Sequence, residues 1–193
     1  MIKPSEIVKK VYREHIEKFG EPTRSLRYDK KEPYDSNAYP PFIDVMIWSP
    51  EEDLNMTTFA TIGMSDMPMK GADYRIELHM SVEGELDEET AANITIFLAN
   101  LAQYPFINST YFDWWHTVPN AGEIPGYKTT HSLLLHPAFV ENGWDLICTD
   151  YGHVKIINVI PITKEEQLMS KEKGINFLLD YLEENEVSYF ARR

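Results

Sequence analysis

The chain has 193 residues, 43% of them hydrophobic and 12% aromatic, enough to bury roughly 70% of the surface exposed on unfolding. Its formal net charge of −13 argues against nucleic acid and anionic membranes as partners, since both require concentrated Lys and Arg. One cysteine cannot form an internal disulfide, no apolar leader opens the sequence, and no apolar run reaches the ~20 residues of a membrane span, so a cytoplasmic protein is expected.

The first expected element is a helix capped by Ser5. Ile7, Val8, Val11, Tyr12, His15, Ile16 and Phe19 fall on one face at helical spacing, and Gly20 and Pro22 end it. His15 lies on that apolar stripe, where a packed, hydrogen-bonded imidazole is expected. Residues 21–41 show no period and read as an ordered loop. Strands are expected at Ile43–Trp48, at Thr57–Ile62 and at Asp73–Val82. In the third, Tyr74, Ile76, Leu78 and Met80 alternate with Arg75, Glu77, His79 and Ser81, a pattern that suits one buried and one polar face. Between the last two strands, Gly63–Asp66 forms a tight turn, with the Asp66 carboxylate expected on its amides.

Asp87 can cap a second helix to Gln103, with Ile94, Phe97, Leu98 and Leu101 inward and Pro105 marking the end. An extended segment at 110–118 and three strands, Lys128–Leu135, Trp144–Thr149 and Val154–Ile160, come next. Cys148 sits in one of them and is expected to be packed in the core. Thr163 and Glu166 form a capping box for a final helix with Leu168, Met169, Ile175, Leu178, Leu179 and Leu182 inward. Gly174 lies inside that helix and suggests close packing on the sheet. Helix, three strands, helix, further strands and helix is an α+β order, with a mixed, largely antiparallel sheet covered by helices in one domain, 1–193.

The segment Tyr104–Thr163 is the chemically distinctive one, holding three of the four tryptophans, four of the six histidines and the cysteine. Its spacings match no recurring metal or nucleophile motif. His131 and His136 would face opposite sides of their strand. No cofactor, metal or catalytic residue is therefore expected. A small metal- or His-dependent hydrolase built on residues 104–163 stands as the alternative. Trp114, Trp115 and His116 are the first candidate contact for a protein partner, because Trp dominates interface energetics and adjacent strand residues face opposite ways. Tyr151 and His153, flanking Gly152, are the second.

Several elements together resemble the suppressor of fused (SUFU) domain family. They are Thr61-Ile62-Gly63-Met64-Ser65-Asp66-Met67-Pro68-Met69 and Arg75-Ile76-Glu77-Leu78, Leu133–Leu135 before Pro137, Ile160–Glu166, and Gly174 followed by Leu178-Leu179. The likeness is strongest over residues 40–184. It implies a SUFU-like α+β fold and a protein-binding module without catalysis, in the short single-domain form typical of bacteria. There the implied role is an immunity protein that neutralises a toxin, with a basic toxin domain as the partner that the acidic charge would steer.

Overall fold

The computed structural model describes residues 3–29 and 39–193. Helices α1 (Glu6–Phe19), α2 (Glu88–Ile107), α3 (Lys164–Lys173) and α4 (Ile175–Glu184) cover an eight-stranded sheet, so the class is α+β as expected. The strands are β1 (Arg24–Asp29), β2 (Phe42–Trp48), β3 (Met56–Ile62), β4 (Arg75–Glu83), β5 (Thr117–Val118), β6 (Ser132–His136), β7 (Leu146–Thr149) and β8 (Gly152–Ile162). Their order is β1-β2-β3-β4-β8-β6-β5, and β7 also pairs with β8. All pairs are antiparallel except β4 with β8. The long β8 carries β4 on one edge and β7 and β6 end to end along the other.

Strand alternation assigns the faces. Ile76, Leu78, Met80, Ile157 and Val159 join Ile94, Leu98 and Ala102 of α2 in the larger apolar cluster. The opposite parity sends Phe42, Met46, Val154 and Ile156 to α1, and Leu134, Ile160 and Ile162 to Leu178 and Leu182 of α4. Each such side chain contributes about 1.5–3 kcal/mol when fully buried.

Five local expectations are corrected. Arg24–Asp29, read as loop, pairs in full with β2 as the edge strand β1. Only Leu26 and Tyr28 turn inward, between exposed Ser25, Arg27 and Asp29, and an alternation of two apolar residues is too short to stand out in a proline-containing, polar stretch. Residues 21–23 and 39–41 of that loop reading lie outside any helix or strand, and residues 30–38 lie outside the described residues. Helix α2 runs through Pro105 to Ile107. The ring removes one hydrogen bond near the helix end but is itself buried. Gly174 does not sit inside a helix against the sheet. Its φ of 92° ends α3 and starts α4, and a Cβ there would meet nothing within 4 Å. Cys148 is exposed on β7, whose only buried residue is Ile147.

The fifth correction concerns the polar side of β4, which is covered by α1 instead of facing water. Glu77 is fully buried, and His79 nearly so. The Glu77 carboxylate accepts from the Gly63, Met64 and Ser65 amides at 2.9, 3.3 and 3.0 Å. It also accepts from the hydroxyls of Thr61 and Ser65 at 2.7 Å each. Glu77, and not Asp66, thus holds the turn, while Arg75 donates to the Ser65 carbonyl at 2.9 Å. Gly63 is required here: its φ is 124° and a Cβ would lie 2.5 Å from the Phe42 carbonyl oxygen. Burial, opposed by the five donors, leaves the Glu77 carboxyl pushed up to about 7.

His79 meets His15 of α1 through their Nε2 atoms, 2.8 Å apart. His15 Nδ1 donates to the Val11 carbonyl at 2.7 Å. Its neutral ring therefore has an unprotonated Nε2, which accepts from the Nε2–H of His79. Phe19 and Trp144 enclose the pair. Burial lowers His15 to about 4 and holds His79 well below its ordinary value.

Candidate protein-binding site

Trp114 and Trp115 go opposite ways, but not by strand alternation. Residues 113–116 lie outside any strand, and Trp115 takes a left-handed φ of 70°. Such a value is strained for a bulky side chain. The backbone is held in that bend from both sides. The Trp115 amide donates to the Leu135 carbonyl, and the Leu135 amide donates to the His116 carbonyl at 2.9 Å.

Trp114 turns inward and packs against the α2-side core. Its indole N–H donates to the Ile156 carbonyl at 3.1 Å. The Lys155 ammonium sits 4.5 Å from its ring centroid and 3.8 Å from that of Tyr74, and it pairs with Asp113 at 2.7 Å. Burial raises the Asp113 carboxyl, but the Lys155 ammonium, the Trp114 amide and the Tyr74 hydroxyl outweigh it and hold the group below the usual range. Trp114 is thus the wall of a filled aromatic box around a cation.

Trp115 turns outward and remains 39% exposed. It meets His136 edge-on at 4.7 Å, and His136 stacks on Phe139 at 5.0 Å. His116 is exposed beside Tyr111, at 5.4 Å. Trp115 and His116 lead directly into β5, the last strand of the sheet.

The ladder register decides what β5 offers. His116 is bonded to Leu135, and Thr117 pairs with Leu134 one step on. Antiparallel pairs alternate between bonded and non-bonded, so the Thr117 N–H and C=O point away from β6. Among the described residues no strand lies beyond them.

A depression flanks this edge on each side. One, of about 800 Å³, lies between α2 and the segment after β5. Ile96, Asn100, Tyr104, Val118, Pro119 and His131 are among its walls. The other, of about 660 Å³, lies against α3, walled by Trp115, His116, Thr117, Lys164, Leu168 and Lys171 among others. Val118 faces the first and Thr117 the second, as strand alternation requires.

Tyr151 and His153 are exposed in and after the β7–β8 turn. They line neither depression. The structure therefore brings Trp115 and His116 to one edge, turns Trp114 into the core and leaves Tyr151 and His153 on a separate hairpin. The extended segment expected at 110–118 narrows to the strand Thr117–Val118, and its position at the sheet edge was missing from the sequence reading. Among the described residues no group of three His, Cys, Asp or Glu is placed to share a metal ion, and no helix is long and apolar enough to cross a membrane.

This fold is shared with solved structures at low sequence identity. A protein described as a SUFU (suppressor of fused protein) homologue from Neisseria gonorrhoeae FA 1090 matches with a TM-score of 0.65 at 16% identity, over 94% of this chain and 91% of that one. A chain of the Sufu–Fu complex crystal structure matches with a TM-score of 0.61 at 14% identity, over 91% and 82%. Drosophila Suppressor of Fused matches with a TM-score of 0.62 at 13% identity over 91% of this chain, which spans only 45% of its length. No curated protein sequence matches. The family model described as suppressor of fused protein (SUFU) fits residues 40–192, most of the sequence, and the chain belongs to that family.

Proposed function

We propose that the protein is a non-catalytic binding module that captures an extended segment of a partner protein as an added strand beyond β5. The observation carrying this reading is the pair of outward Thr117 backbone groups set between two depressions. Main-chain hydrogen bonds to such an edge supply affinity, and alternate side chains of the added strand enter the two depressions and supply specificity. Trp115, exposed at the start of the edge, provides the rigid aromatic contact that interfaces favour. The likeness to a chain of the Sufu–Fu complex supports a protein as partner. As in the expectation drawn from the sequence, the partner class is a toxin domain neutralised by occlusion in the cytoplasm. Tyr151 and His153 serve as a secondary contact on the separate β7–β8 hairpin.

Short random peptides selected on the wild-type protein should lose binding to a Thr117→Pro variant, which deletes the outward N–H. Proline is tolerated on an edge strand, and an unchanged melting temperature will verify the fold. Peptides that bind both proteins equally would overturn the reading.

A further inference from the structure

Resting on that reading, we infer that the partner strand presents acidic side chains to the α3 side of the edge. The argument is one of local charge. The depression against α3 is lined by two lysines, Lys164 and Lys171, with His116, and by no carboxylate. This occurs in a chain with 31 Asp and Glu against 18 Lys and Arg. Neither lysine makes an ion pair or side-chain hydrogen bond among the described residues.

Lys164 is also misplaced for helix stability. It is the first residue of α3, directly after the Thr163 cap, where the helix dipole already places positive potential and favours acidic residues. The acidic neighbours do not neutralise the depression. The Glu166 carboxylate is turned inward to the Thr163 amide and to Arg193, and Glu165 is not among the lining residues. The α2-side depression has a different character. It carries one carboxylate, Glu123, and one lysine, Lys128, with the amides of Asn93 and Asn100 and exposed Ile96 and Tyr104, which suits apolar or neutral side chains. Because neighbours on a strand point to opposite faces, the fitting segment alternates acidic residues with apolar ones.

Three synthetic peptides of equal length test this, with repeating Val-Asp, Val-Asn and Val-Lys. Binding is read from amide chemical-shift changes at Thr117 and Val118 in the full protein. The Val-Asp peptide should bind about tenfold more tightly than Val-Asn, and Val-Lys most weakly, although the overall charge of −13 pulls the other way. A Lys164→Glu/Lys171→Glu variant should reverse the order, with a circular dichroism melt checking that α3 is intact. Binding at β5 with no charge preference, or a preference that survives the double reversal, overturns the inference alone. Absence of shifts at β5 with all three peptides overturns strand addition and this inference with it.

Discussion

On its α2 side β4 contributes Ile76, Leu78 and Met80 to an aliphatic interior. On its α1 side it contributes Glu77 and His79, buried just as deeply. The first face is held by dispersion and the removal of apolar surface from water, which tolerate modest changes in shape. The second is held by directed hydrogen bonds in a low-dielectric space, where losing one partner strands the others. Burial alone therefore does not describe a core; what each buried atom meets decides how the core fails.

The sharpest way to test the contrast is to truncate one residue on each face. Glu77→Ala would leave three turn amides and two hydroxyls without their acceptor, and should cost about 5 kcal/mol. Leu78→Ala, one position along, should cost about 3 kcal/mol as a cavity. Urea midpoints of the two variants at one pH measure the difference, and equal losses would erase the distinction between the faces.

A smaller effect should appear in the pH dependence. His15 falls from 6.5 to about 4 on folding, so the unfolded chain binds more protons between those values. Stability from this group is fully present above pH 6.5 and is lost as pH falls toward 4, by about 3 kcal/mol. His79 adds a loss of the same sign. Glu77 rises from 4.5 to about 7, so here the folded chain binds more protons, and stability grows as pH falls from 7 to 4.5. The two effects oppose each other in the wild type. Glu77→Gln should therefore steepen the loss of stability between pH 6.5 and 4, read as urea midpoint against pH. An unchanged slope would show that the polar face does not titrate as a unit.

The smallest effect concerns neither face of β4 but the start of α3, where the Thr163 hydroxyl accepts from the Glu166 amide at 3.2 Å. Thr163→Ala should cost about 1 kcal/mol, measured as a shift in melting temperature. A loss as large as that of Leu78→Ala would mean that α3 is held more firmly than its burial indicates.

Elements whose signals are local were legible from sequence. Ser5, Asp87 and the Thr163–Glu166 box cap helices where expected, and the apolar strands β2, β3, β4, β6 and β8 follow their composition. What escaped depends on distant partners. Polar alternation in β4 gives no sign that α1, more than 60 residues earlier, will cover it. Cys148 is expected in the core because free cysteine is commonly buried, yet its strand β7 pairs only with β8 at the sheet margin. The candidate site was half visible. Tryptophan and histidine marked the approach to it, but the edge position of Thr117–Val118 follows from the order of non-consecutive strands. The left-handed bend at Trp115 is imposed by hydrogen bonds to β6. Lys164 directly after a capping threonine was the one local clue to the charge of the α3-side depression.

Gly174 separates two helices with unequal holds on the molecule. Beyond it, α4 is anchored by Leu178 and Leu182; before it, α3 buries only Glu166 and Gln167. The break leaves the two helices held by different means: α4 by apolar packing on the sheet, and α3 by the Thr163–Glu166 capping box and the ion pair of the buried Glu166 with Arg193, so a change of charge at one buried carboxylate would loosen the first helix and leave the second in place.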